Sequence, residues 1–287
     1  MTGVLARWDR FLNRQTSTRS SALLRLLLPL LLWARFANEL LVFRDLDPAR
    51  IALSINFFAS TTLMWIGWKS RWATAWAGAT ALSMVYGFGV WADVEPWVHH
   101  HTTFVAHCTA LLALTPCGDS FSVDRWLVLQ KARAASRPPP AERGATWGLG
   151  LIALQTSTLY AFSAWDKTQM AFLSGQRLEH IFHTLYWGAD PIPLLGVSTL
   201  FACAAILTVI VEYALALTLF IPRLQRASIA VGLMLHAAIY LLLPVSIFTL
   251  TVWATYLAYL DPDRVNAVLR PLLNEPPDPA NAPAPPA

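Results

Sequence analysis

The sequence predicts an all-α membrane protein, a polytopic bundle of about eight transmembrane helices with both termini cytoplasmic. Three observations carry that expectation. Of 287 residues, 56% are hydrophobic and only 13% charged, where soluble domains carry about a quarter charged; mean hydropathy is +0.47. The apolar residues fall in blocks near the length of ~20 residues that crosses a bilayer as a helix, a form that satisfies its own backbone in lipid. The basic residues sort between alternate loops, as the positive-inside rule requires.

The blocks follow in order. Leu26 to Phe43 comes after an arginine-bearing start that resembles a signal peptide, but no A-x-A cleavage pattern follows Leu32, so a retained first span is expected. Ile51 to Trp68, Trp72 to Trp91 and Val98 to Leu114 give the next three spans. Residues 116–145 then read as a cytoplasmic loop whose Arg137-Pro138-Pro139-Pro140 stretch is a flexible connector. Thr146 to Trp165 is the fifth span. Residues 166–195 mix charges with Phe172, Leu173, Phe182 and Tyr186, a composition suited to lying at the outer interface or dipping into the bundle. Gly196 to Ile221, Ala227 to Leu243 and Val245 to Leu260 complete the set; the last break rests on Pro244, and one kinked helix, hence seven spans, is the alternative. The membrane domain is thus expected over 1–260, with 261–287 a Pro- and Ala-rich disordered tail.

With the N-terminus inside, 15 of the 21 Lys and Arg residues are cytoplasmic: Arg7 to Arg19, Lys69 and Arg71, Arg125 to Arg143, Arg223 and Arg226, and Arg264 and Arg270. Arg44, Arg50, Lys167 and Arg177 fall outside. The net charge of +4 therefore reads as a topology signal, and nucleic acid is excluded as a partner. The expected partner is the lipid bilayer of a plasma (inner) membrane. Cys108, Cys117 and Cys203 form no paired pattern and read as small buried hydrophobes.

Ionisable side chains inside lipid cost about 2.5–3.5 kcal/mol each at mid-helix, so each needs a reason. Arg35 and Glu39, four apart on one face, neutralise each other or contribute to a site. His99, His100 and His101 open the fourth span, with His107 two turns deeper; they cap the interface or line a site. The fifth span runs outward through Gln155, Thr156, Ser157, Thr158 and Tyr160 to Lys167. That lysine either snorkels to the interface or lies buried as a neutral amine base. Glu212 and His236 satisfy each other or backbone groups, with a role at a site as the alternative. The spacing of His99 to His101, His180 and His183 matches no metal-binding pattern, and no metal is expected.

The stretch from His100-His101-Thr102-Thr103 through His107 to Pro116-Cys117-Gly118-Asp119-Ser120-Phe121-Ser122-Val123-Asp124-Arg125-Trp126 resembles the signature of the horizontally transferred transmembrane (HTTM) family, which includes vitamin K-dependent gamma-glutamyl carboxylase. Leu159-Tyr160 to Lys167 and Gly175, and Pro222-Arg223 to Gly232 and His236, fit the same family. The resemblance implies Lys167 as the base that deprotonates a reduced quinone of the vitamin K hydroquinone type, and His101 as the group stabilising a glutamate carbanion. Asp166 stands where the carboxylase has a second lysine, and a carboxylate there favours the protonated form of Lys167. The residues after Leu260 are too few for the carboxylase's propeptide-binding region. The size instead resembles small bacterial SdpB-like members, which help mature a secreted peptide.

Two functions are therefore expected as alternatives. One is a quinone-coupled carboxylase or related enzyme modifying a peptide or small molecule at an outward-facing site. The other is a non-enzymatic component that matures or exports a secreted peptide with partner membrane proteins. Lys167 and His101 are the catalytic candidates; His100, His107, Tyr160, Glu39, Arg35 and His236 are assigned to substrate contact.

Overall fold

The computed structural model describes residues 9, 12–41, 48–87, 100–188, 197–242 and 246–275. Among them the fold is all-α save for one short ribbon. Each of the eight apolar blocks is occupied by a helix: α1 (Arg19–Leu41), α2 (Pro48–Ile66), α3 (Ser70–Met84), α4 (His100–Leu112), α6 (Trp147–Asp166), α9 (Val197–Thr218), α10 (Gln225–Leu242) and α11 (Ser246–Thr255). Four of these, α1, α2, α9 and α10, are long and apolar enough to cross a membrane. The polar run Gln155 to Thr158 dilutes α6, and the expected outer end of the third span and start of the fourth fall at 88–99, outside the described residues. The Pro244 break, His99, the His100 side chain and the tail from residue 276 lie outside them too.

The loop at 116–145 carries a helix of its own, α5 (Val123–Ala134), whose first turn is capped by the Ser122 side chain accepting from the Arg125 N–H. The segment after α6 forms α7 (Met170–Leu173) and α8 (Gln176–Trp187). The chain divides into two compact units, Met1–Ile152 with Leu260–Ala287, and Ala153–Tyr259.

In the first unit α1 packs against α2 and α4, and α3 against α2 and α4. The α3–α4 approach is close because Gly78 has no Cβ; one placed there would sit 2.6 Å from the Ala110 Cα. At the end of this unit where α1 begins, a buried guanidinium organises three elements. Arg25 is fully buried and donates to the carbonyls of Met64 (2.8 Å) and Trp65 at the C-terminus of α2, and to those of Cys117 (3.0 Å) and Phe121 in the following loop. Cationic charge at a helix C-terminus meets the negative end of the macrodipole and the carbonyls left without intrahelical partners. Asp124 does the converse at α3, accepting from the Lys69 and Ser70 N–H groups at 2.8 and 2.7 Å. The stretch 116–126 thus has a structural purpose: it joins the ends of α2 and α3 to α1. Burial pushes the Cys117 thiol up from its ordinary range, in keeping with a packing role; Cys203, by contrast, is exposed and departs from the buried reading.

Two three-residue strands, β1 (Gln15–Ser17) and β2 (Arg143–Ala145), pair antiparallel with Thr16 opposite Gly144. Around them Arg19 binds Glu142 at 2.9 Å and also Glu275, while Arg143 binds Asp263 at 3.1 Å. These pairs correct the expected boundary of the tail. Residues 262–272 form a helix, α12 (Pro262–Leu272), because Asp261 caps it, Pro262 presets its first turn, its Asp263 is claimed by Arg143 and, just past its end, Glu275 is claimed by Arg19. It packs on α1 and β1.

Candidate functional site

The candidate groups divide between the units. His101 and His107 stand on α4 and Arg35 and Glu39 on α1, in the first unit; Tyr160, Lys167 and His236 belong to the second.

In the first unit, Arg35 binds Glu39 at 2.6 Å one helical turn away, and Arg50 donates to the Glu39 carbonyl at 2.6 Å. This is the mutual neutralisation that the spacing allows, and it leaves Glu39 Oε2 buried without a hydrogen-bond partner. His101 is half-buried. His107 Nε2 lies 3.1 Å from the Tyr86 hydroxyl.

The second unit contains a polar stripe on α6. Ser157, Tyr160, Ser163 and Lys167 recur at intervals of three and four and so share a helix face. Midway along α6, Ser157 Oγ lies 2.8 Å from the Tyr259 hydroxyl, which donates to the Ala153 carbonyl at 2.7 Å. One turn on, the Tyr160 hydroxyl is hydrogen-bonded both to His236 Nε2 at 2.8 Å and to the Tyr256 hydroxyl. At the end of the helix Lys167 Nζ donates to Ser163 Oγ and to Glu212 Oε1, each at 2.6 Å.

The Lys167–Glu212 pair revises two expectations. Glu212 and His236 were expected to satisfy each other or backbone groups; instead α9 brings Glu212 to Lys167, and α10 brings His236 to Tyr160. The carboxylate that holds Lys167 is Glu212, 4% exposed, rather than its sequence neighbour Asp166, which is exposed. The Lys167 side chain is 26% exposed, so it is neither fully buried nor freely snorkelling, and its ammonium lies 5.9 Å from the Phe172 ring centroid.

Two buried polar atoms in these two clusters have no hydrogen-bond partner, Glu212 Oε2 and His236 Nδ1. Unpaired buried groups cost about 1–3 kcal/mol each, and their presence in one unit beside an amine makes this the strongest candidate for a ligand-binding site. If Tyr160 donates to His236 Nε2, the imidazole proton sits on Nδ1, which is then an unpaired buried donor.

Two glycines shape the site. Gly175 has φ +76°, and a Cβ there would meet the Ala202 amide nitrogen at 2.3 Å; glycine is what lets α8 start so close to α9. Gly232, one turn before His236, faces Tyr256, and a Cβ there would lie 1.9 Å from its hydroxyl oxygen. Gly232→Ala is therefore expected to displace Tyr256 and cost about 1–3 kcal/mol, the range for overpacking. Gly232→Ala with Tyr256→Phe, which deletes the nearest atom, should recover part of the loss. Thermal unfolding of the two variants in detergent reads the difference, and equal melting temperatures would contradict the contact.

Tyr256, Ser163 and the role of Glu212 were not identified from sequence. Ser163 was within reach through its spacing from Tyr160 and Lys167; the other two come from distant segments. No group of three or more His, Cys, Asp or Glu able to hold a metal occurs among the described residues.

A family model described as HTTM domain matches residues 39–264, well over half of the chain and the whole of the second unit. No curated protein and no solved structure matches it.

Proposed function

The chain belongs to the HTTM domain family and is a membrane protein, and from that premise we propose that it is a multi-pass plasma-membrane enzyme in which Lys167 is an amine base for quinone-coupled modification of a peptide or small molecule. In this reading eight helices span the bilayer, both termini are cytoplasmic, and Lys167 opens to the outside. The observation that carries it is the anchoring of Lys167 Nζ by Ser163 and Glu212, at 2.6 Å each, beside two unpartnered buried polar atoms.

A reduced quinone fits this donor set. The Phe172 ring near Lys167 and the Phe248 ring edge-on to His236 at 5.3 Å between centroids suit an apolar ring, and Glu212 Oε2 and His236 Nδ1 suit its hydroxyl groups. Bound there, it would supply the reducing equivalents that activate oxygen. The residues of the chain handle protons. Lys167 can accept one at Nζ only as a free amine, and transfer of the shared proton to Glu212 Oε1 leaves an uncharged amine beside a carboxylic acid. Ser163 keeps the amine oriented, and Tyr160 with Tyr256 fixes the His236 ring. His101, on α4, takes the carbanion-stabilising role that the family resemblance implies. Carboxylation of a peptide, or a related oxidation, is the class of reaction proposed.

Purified protein supplied with a reduced naphthoquinone is expected to consume oxygen above the spontaneous rate, and Lys167→Ala to remove that excess, a loss of about 10²-fold or more for a general base. Equal uptake by the variant removes Lys167 from its role. No excess uptake by the unaltered protein overturns the enzymatic reading in favour of the non-enzymatic, SdpB-like one, in which the chain matures or exports a secreted peptide with partner proteins.

A further inference from the structure

The α12 helix buries polar groups against the protein while leaving part of its apolar face exposed. On a helical projection, Val265, Val268, Leu269 and Leu272 share one face, while Asp263, Asn266 and Arg270 share the other. A surface helix of a soluble domain buries the first face and exposes the second. Here the polar side is turned inward: Asp263 accepts from the Ser17 N–H at 3.0 Å and from Arg143, and Asn266 is 4% exposed. Arg270 lies 4.0 Å from Glu275, which also binds Arg19. On the apolar side Val265 and Leu269 are half-buried, and the edge formed by Val268 and Leu272 faces out, 66% and 74% exposed.

From this placement we propose that α12 lies in the membrane interface, its Val268 and Leu272 face seated at the boundary between headgroups and acyl chains. At 11 residues, or about 16 Å, the helix is too short to cross a bilayer. It rests on α1 and β1, at the end of α1 where that candidate span begins. The same end of the first unit exposes Trp68 and Trp72, with Lys69 over the Trp68 ring at 5.3 Å, the aromatic and basic pairing typical of a headgroup belt. Arg264 on the flank of α12 and Arg71 are exposed as well, and cations beside an apolar face suit the phosphates of a lipid surface. The bonds of Asp263 to Arg143 and to the Ser17 N–H set the roll of the helix, so the Val268 and Leu272 edge is presented outward.

Nitroxide labels at Val268→Cys and separately at Leu272→Cys, in a Cys203→Ser background and in phosphatidylcholine–phosphatidylglycerol nanodiscs, test this. Collision with oxygen relative to a water-soluble nickel chelate should be several-fold higher at both positions than at Arg137→Cys in the exposed connector. A ratio equal to that at Arg137→Cys overturns the proposal. Dipolar broadening between labels on different molecules overturns it too, by assigning the face to a second copy of the chain. Both sites are exposed, so neither label disturbs packing, and gel filtration of each variant verifies that it is folded.

Discussion

Arg25→Met is expected to destabilise the first unit by about 3 kcal/mol or more. The substitution keeps an unbranched apolar stem but takes the guanidinium donors from four carbonyls: those of Trp65, Cys117 and Phe121 lose them outright, while that of Met64 keeps the Gly67 N–H at 3.1 Å. Each buried unsatisfied acceptor costs about 1–3 kcal/mol, and relaxation of the loop recovers some of it. Arg25→Lys should fall between the two, because an ammonium keeps the charge but offers three donors from one point where guanidinium offers a planar fork of five. Thermal unfolding in detergent, followed by the monodisperse fraction on gel filtration, gives the order Arg, Lys, Met. A melting temperature for Arg25→Met within a degree or two of the unaltered protein would show that these carbonyls do not depend on Arg25.

The second large effect is an asymmetry across the Lys167–Glu212 pair. Lys167→Met leaves a carboxylate that is 4% exposed with Ser163 as its remaining partner, at 3.4 Å, and removal of one member of a buried pair costs about 3–5 kcal/mol. Glu212→Leu leaves an ammonium that is 26% exposed and in reach of water, so its cost should be nearer 1 kcal/mol after screening. The double variant Lys167→Met with Glu212→Leu should be more stable than Lys167→Met alone, because the stranded charge is gone. Unfolding of the three variants forms a double-mutant cycle. Strict additivity would mean that the two side chains do not interact, and would remove the acid–base pair on which the proposed function rests. Activity separates from stability here, since the double variant keeps its fold yet lacks the amine.

Hydropathy located a helix in each of the eight apolar blocks, including α3, α4 and α11, each under 18 residues. Their ends were less accessible: α1 starts at Arg19, seven residues before the apolar block, because Arg19 and Arg25 are held by Glu142, Glu275 and backbone carbonyls and so tolerate the helix interior. The same compensation concealed α12. Its sequence carries two prolines, and Asp263 within it and Glu275 just beyond it look solvated until Arg143 and Arg19, more than a hundred residues upstream, are brought to them.

The Arg35–Glu39 pair was legible because partners four apart on a helix meet by local geometry alone. Lys167 and Tyr160 stood out because polar groups are rare in apolar runs, but their partners did not, since Glu212 lies 45 residues from Lys167 and His236 lies 76 from Tyr160. Gly232 could be quoted as part of a motif, yet its reason, the Tyr256 hydroxyl, is visible only across the helices.

By itself, then, the sequence determined that this chain is helical, apolar enough for a membrane and of HTTM type, because hydropathy, span length and motif order are properties of one dimension. Only the tertiary structure decided which charge answers which. Lipid offers a polar group no solvent to fall back on, so the choice between Asp166 and Glu212 for Lys167, or between a lone cation and a four-carbonyl clasp for Arg25, is made by helix packing.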